Sequence, residues 1–197
     1  MKVLGLTGGI GSGKTTLTRE FKNLKVPVFI ADEQSKKLLA QNEKVIKAVK
    51  KLIGKQAYKV IDENEVPDTK MIASKVFNDN ELLKELNAIL HPAVRESFDS
   101  WRSLQNYHYC VYEAAILFES DGESLCDETL LVAAPQDMRI QRVVKRDGVS
   151  IEEVMKRISN QWSQYDKLLK SNLVINNVNL KDSLYQVRII NEFMLNR

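Results

Sequence analysis

The chain has 197 residues, 44% of them hydrophobic, enough to bury a core within one domain that carries inserted subdomains. Its 29 basic against 26 acidic residues leave a formal net charge of +3, which suits a phosphorylated small ligand and falls short of a committed nucleic-acid binder. No stretch approaches the length of a membrane span, and the apolar run at Met1-Lys2-Val3-Leu4-Gly5 is too short for a signal peptide, so a cytoplasmic protein without membrane partners is expected.

In chain order, Val3 to Thr7 reads as a buried strand and Thr15 to Leu24 as a helix with Leu17, Phe21 and Leu24 on one face. Between them, Gly8 through Thr15 fits G-x-x-x-x-G-K-[ST] at every position, in the strand-to-helix context that the pattern requires. Glycines let successive backbone N–H groups converge on phosphate oxygens, and the helix N-terminus near Gly13 favours negative charge. Gly9, Gly11, Ser12, Gly13, Lys14, Thr15 and Thr16 are therefore the candidate triphosphate-binding residues, with Lys14 reaching the β- and γ-phosphates. Thr15 is the candidate ligand for a bridging Mg²⁺.

Val26 to Ile30 predicts a second strand that stops at Ala31-Asp32, where Asp32 either caps a helix or acts on substrate. From Glu33 to about Arg102 the pattern is mostly helical, with Lys44, Lys47, Lys50 and Lys51 along one face that is either solvated or attracts a phosphorylated substrate. "IDENEVPD" predicts a polar loop within this region, and His91-Pro92 an interruption, because the residue before proline avoids helical geometry. Tyr109 to Ala114 and Thr129 to Ala134 are near-continuous apolar runs, as in the covered strands of a parallel sheet. Cys110 lies in the first of these and reads as a buried reduced thiol; neither it nor Cys126 belongs to a ligand cluster. Glu113 either binds Mg²⁺ through water or marks a strand end, and Glu119 closes the same stretch.

After Pro135, Arg139, Arg142 and Arg146 recur at three- and four-residue spacing up to Asp147-Gly148. Such a stripe either stabilises a transferring phosphoryl group from a lid or is a solvated face. Ser150 and Glu153 make a capping-box pattern for a further helix bearing Lys156 and Arg157. A last strand, Leu173 to Ile175, ends at Asn176-Asn177, and an amphipathic helix with Leu184, Val187, Asn191 and Met194 follows.

The loop alone is shared by GTPases, ATPases and small-molecule kinases. A guanine-reading N-K-x-D is missing, since "NLKD" at Asn179 to Asp182 displaces the lysine, and the apolar strands carry no D-x-x-G. Phosphoryl transfer to a small acceptor is the favoured reading, beside a regulatory nucleotide-binding module.

Taken together, "LTGGIGSGKTT", "ADEQSKKL", "LNAILHPAV", "ILFES", "RVVKRDGVSIEEVMKRISNQ" and "LVINN" are similar in kind and order to the dephospho-coenzyme A kinases. The resemblance implies an α/β P-loop kinase with a core of five parallel strands (about 1–31, 108–138 and 170–197). To this it adds a helical substrate-binding insertion (about 32–107) and a helical lid (about 139–169). It implies ATP and Mg²⁺, and dephospho-coenzyme A as the acceptor of a phosphate on its ribose 3′-hydroxyl. It also implies Lys14, Asp32, Arg142 and Arg146 as catalytic residues, Asp32 as base, His91 and Arg157 as substrate contacts and Asn177 beside adenine. The chain departs from the family where Ile30 replaces a first Asp, Ala115 a proline before "ILFE", and Asn176 an Asp. It carries no signal for oligomeric state.

Overall fold

The computed structural model describes residues 1–76 and 79–196, so positions 77 and 78 of the expected helical region lie outside the described residues. The chain divides into two compact units, one formed by Met1–Ile30 with Gln105–Arg197 and the other by Ala31–Leu104.

The first unit is built on β1 (Lys2–Thr7), followed by α1 (Lys14–Asn23) and β2 (Val28–Ile30). The sheet order is β2-β5-β1-β6-β7, all neighbours parallel, where β5 is Tyr109–Glu113, β6 Glu128–Ala133 and β7 Leu173–Asn176. β1 and β5 are apolar almost throughout because helices and loops cover both faces of the sheet. Alternation along β1 sends Leu4 and Leu6 into a core with Leu17 and Phe21 of α1 and with Val187, Ile190 and Met194 of the last helix, α9 (Leu180–Leu195). Gly5 faces the opposite way, and a Cβ there would meet the Cys126 sulfur at 2.6 Å, so the close approach requires glycine. β5 lies between β2 and β1, so the strand that ends at Ile30 does not neighbour the strand that feeds the glycine loop.

Between β6 and β7 run α6 (Gln136–Asp147), α7 (Ile151–Ser159) and α8 (Gln164–Lys170). The stop at Asp147-Gly148 is an αL cap at Gly148 with φ 66°, and Ser150 caps α7 by accepting the Glu153 N–H at 3.2 Å.

The second unit holds α2 (Ala31–Gln41), α3 (Glu43–Ile53), α4 (Thr69–Val76) and α5 (Asn80–Ser103), with a two-stranded antiparallel hairpin of β3 (Tyr58–Ile61) and β4 (Asn64–Pro67). Two expectations are corrected here. "IDENEVPD" is not a plain loop: Asp62 and Glu63, at φ 47° and 63°, turn the chain so that Ile61 pairs with Asn64. Positive φ at both central positions is the geometry of a tight hairpin. Nor does His91-Pro92 break the helix. α5 runs through exposed Pro92, with Leu86, Leu90, Val94 and Phe98 buried at i, i+4 spacing on both sides of it. Burial of that stripe outweighs the one hydrogen bond the proline removes.

Candidate phosphoryl-transfer site

The glycine loop connects the carboxyl end of β1 to the first turn of α1. Gly11 and Gly13 take φ 78° and 97°, a backbone region that side chains disfavour. A Cβ at Gly11 would also meet the Arg139 carbonyl at 2.3 Å, and one at Gly13 the Asn177 amide nitrogen at 2.1 Å. Within the loop the N–H of Ser12 is bonded to the Gly9 carbonyl, and that of Thr16 to the Gly13 carbonyl. Among the described residues no protein acceptor takes the N–H of Gly9, Gly11, Gly13 or Thr15. Backbone donors left over at a helix N-terminus are what a polyphosphate binds.

Lys14 lies over this loop, its Nζ donating to the Gly8 carbonyl at 2.7 Å and standing 4.0 Å from Glu113 Oε1. Both side chains are nearly buried, and Glu113 reaches the site from the end of β5, paired in register with Leu6 of β1. Thr15 and Thr16 are exposed on the first turn of α1. An exposed threonine hydroxyl with a carboxylate nearby on the next strand is a hard-oxygen donor set that suits Mg²⁺ with several waters. Among the described residues no cluster of three or more His, Cys, Asp or Glu could hold a metal ion.

The three arginines of the stripe share one side of α6 but differ in burial and partners. Arg139 is buried, its Nε donating to the Ile10 carbonyl at 3.0 Å, and a Cβ on Gly9 would strike its guanidinium at 2.2 Å. Burial pushes its pKa down from the usual arginine value. Arg142 donates to the Asn177 carbonyl at 2.8 Å and, more loosely, to the carbonyls of Ser12 and Gly11 at 3.3 and 3.4 Å. Arg146 lies beyond them, mostly exposed, forking onto Asp147 at 2.6 and 3.0 Å. Arg157 of α7 joins the same carboxylate at 2.9 Å, and hydrogen bonding from Arg146 is the main reason that Asp147 stays below the usual carboxylate range. The structure thus groups Arg139 and Arg142 with the loop, and Arg146 with Arg157.

Asn177 is neither a helix cap nor an exposed contact. Its Nδ2 donates to the Ser12 carbonyl at 2.8 Å and its Oδ1 accepts from Ser183 at 3.0 Å, while Asn179 caps α9. It is 4% exposed, so the side chain serves as a strut under the loop. Glu119 is likewise committed: Oε1 accepts from Lys167 Nζ at 2.8 Å and from the Trp162 N–H at 2.9 Å. Its Oε2 is buried and has no hydrogen-bond partner among the described residues.

In the second unit Asp32 is the second residue of α2 and therefore inside the first turn, not at the cap. Its carboxylate is exposed and, among the described residues, has no hydrogen-bond or ion-pair partner. His91 is half-buried on α5; burial above all, and then the Arg95 charge, hold its pKa below the usual 6.5. The lysine series is partly neutralised within the unit, Lys50 by Glu65 and Lys47 by Glu43. A groove of about 570 Å³ runs between the α2–α3 turn and α5, lined by Leu38, Asn42, Lys44, Ala93 and Ser97 among others.

Sequence reasoning assigned no role to Gln161, Lys167 or Ser183. Gln161 closes the quoted stretch "RVVKRDGVSIEEVMKRISNQ" without a role of its own, Lys167 lies beyond it, and Ser183 reads as an ordinary first-turn residue.

A strand–loop–helix of this pattern with its lysine, on a five-stranded parallel sheet, places the chain in the P-loop class of nucleotide-binding folds. The sequence pattern of the dephospho-CoA kinase family matches residues 2–182. A dephospho-CoA kinase of Porphyromonas gingivalis is 38% identical over 161 residues, covering 82% of this chain and 78% of the relative. A crystal structure from Thermus thermophilus superposes with a TM-score of 0.87 at 30% identity, covering 98% of this chain and 97% of that one. The fold is also that of a dephospho-CoA kinase from Campylobacter jejuni, with a TM-score of 0.71, 22% identity and coverage of 100% and 98%. The chain belongs to the dephospho-CoA kinase family, transferases that phosphorylate dephospho-CoA to CoA in the last step of its synthesis.

Proposed function

We propose that the residues described above divide the family's reaction as follows. The loop 8–16 binds the ATP phosphates through its N–H groups, and Lys14 slides from the Gly8 carbonyl toward the β- and γ-phosphates, where its charge offsets that of the group in transfer. Thr15 would hold Mg²⁺, assisted by Glu113 through water, and the ion would neutralise phosphate charge. Asp32 takes or orients the proton of the ribose 3′-hydroxyl. Ala31–Leu104 is the substrate-binding insertion, with His91 a neutral contact, and 139–169 is the lid, whose Arg146 and Arg157 meet substrate or nucleotide charge from outside while Arg142 acts through the loop. Two free cysteines, one buried and one with its thiol pushed up to about 12 by burial, suit the reducing cytoplasm.

The observation that carries this reading is the set of unengaged loop N–H groups beside Lys14. Its test is ATP consumption by the purified chain with and without dephospho-CoA, with Mg²⁺ supplied or chelated. Stoichiometric formation of ADP and of a product phosphorylated on the ribose is expected, dependent on both acceptor and metal. ATP turnover indifferent to acceptor would overturn it.

A further inference from the structure

Ile10, at the tip of the phosphate loop, is held through both of its backbone polar groups by residues far along the chain. Its N–H donates to Gln161 Oε1 at 2.9 Å and its carbonyl accepts from Arg139 Nε at 3.0 Å. A backbone N–H can only donate, so the Gln161 amide must present its oxygen here, and its orientation follows from the chemistry. Gln161 lies in the turn between α7 and α8, and that turn is itself anchored. The next residue, Trp162, donates its N–H to Glu119, which is paired with the fully buried Lys167. Lys167 also donates to the Ala115 carbonyl at 2.7 Å, and Gln164 Oε1 accepts the Ala134 N–H at 3.0 Å, at the end of β6. A cleft of about 320 Å³ opens alongside, lined by Arg139, Gln161, Trp162 and Gln164 among others.

We propose that Gln161 is a positioning residue for phosphoryl transfer: by taking the Ile10 N–H it sets the loop tip so that the remaining N–H groups converge on the phosphates before ATP arrives. This rests on the reading of the loop as the ATP-phosphate site. A lone bond from a flexible glutamine would be a surface detail. Here the glutamine stands on a backbone fixed by a buried ion pair, and Arg139 holds the carbonyl of the same residue. Preorganisation of this kind lowers the cost of binding and leaves the chemistry of the bound complex alone.

The test uses the full chain with Gln161→Ala, Gln161→Met and Gln161→Glu. Hydrogen exchange at the Ile10 amide is measured without nucleotide, ATP affinity by direct titration, and kcat at saturating ATP. Losing one hydrogen bond should speed Ile10 exchange and weaken ATP binding by about 3–10-fold in the Ala and Met variants, with kcat within about twofold. Glutamate keeps an acceptor of the same reach and should keep Ile10 protected. Unchanged exchange or unchanged ATP affinity in both Ala and Met overturns the proposal, as does a loss confined to kcat, which would place Gln161 on the substrate itself. The Met variant retains the side-chain volume, so a fault in folding caused by Ala is separable. A wild-type chain that binds ATP but ignores dephospho-CoA would sink the functional reading, while exchange and titration would still decide on Gln161.

Discussion

Asp32 and Arg142 show how one residue can be judged by what it already holds. Asp32 is exposed and unpartnered among the described residues, so Asp32→Asn removes at most a first-turn dipole interaction of about 0.3–1 kcal/mol. The variant should melt within a few degrees of wild type and bind ATP normally, yet transfer phosphate about 10²–10⁴-fold more slowly if the carboxylate handles the hydroxyl proton. Turnover within a few-fold of wild type would return Asp32 to a helix-stabilising role. Arg142 is the opposite case, because its guanidinium is bonded to the carbonyls of Asn177, Ser12 and Gly11. Arg142→Ala should cost about 1.5–3 kcal/mol of stability, seen in denaturant unfolding, and weaken ATP binding together with it. Lysine should rescue it poorly, since an ammonium cannot fork between three carbonyls. Arg146→Ala, by contrast, should leave the melting temperature in place and show itself only in kinetics, because its partner Asp147 is a surface carboxylate.

At the scale of elements, the turn carrying Gln161 depends on the pair Lys167–Glu119, in which the lysine side chain is 1% exposed and the carboxylate 13%. Removing one partner leaves the other charge buried, so Lys167→Ala should cost about 3–5 kcal/mol in chemical denaturation, while replacing both by apolar residues should recover much of that loss. Equal losses in the single and double variants would show that packing, not charge, is at stake. α5 supplies a pH dependence. Burial depresses the His91 pKa in the folded chain below 6.5, so the unfolded chain binds more protons as pH falls through that value. Stability is therefore full above about 6.5 and declines as pH drops through the lower, folded value. His91→Gln should flatten that decline, measured as the midpoint of urea unfolding against pH. α5 also shows where pattern outweighs punctuation: the Leu86-Leu90-Val94-Phe98 stripe is readable in the sequence, and it runs through the proline that was expected to stop it.

For the molecule as a whole, what the sequence disclosed and what it hid follow from the range of the interactions. Five parallel strands are legible because a strand covered on both faces is apolar without interruption, as in "YCVYE". The phosphate loop is legible because glycine, lysine and threonine at fixed spacing do their work within eight residues. The β3–β4 hairpin escaped because Asp62 and Glu63, not an Asn-Gly pair, hold its turn. The bonds that support the loop escaped for a different reason. Arg139, Gln161 and Asn177 reach Ile10 or Ser12 across the tertiary fold, and no local spacing encodes a partner 129 to 165 positions away. That separation also sets an order in time. A ribosome makes Ser12 165 positions before the Asn177 amide that bears its carbonyl, and the Ser183 hydroxyl that steadies that amide comes later still. Across that interval a growing chain displays the whole nucleotide signature without the brace that shapes it, and the finished grip on ATP waits for α9 to dock.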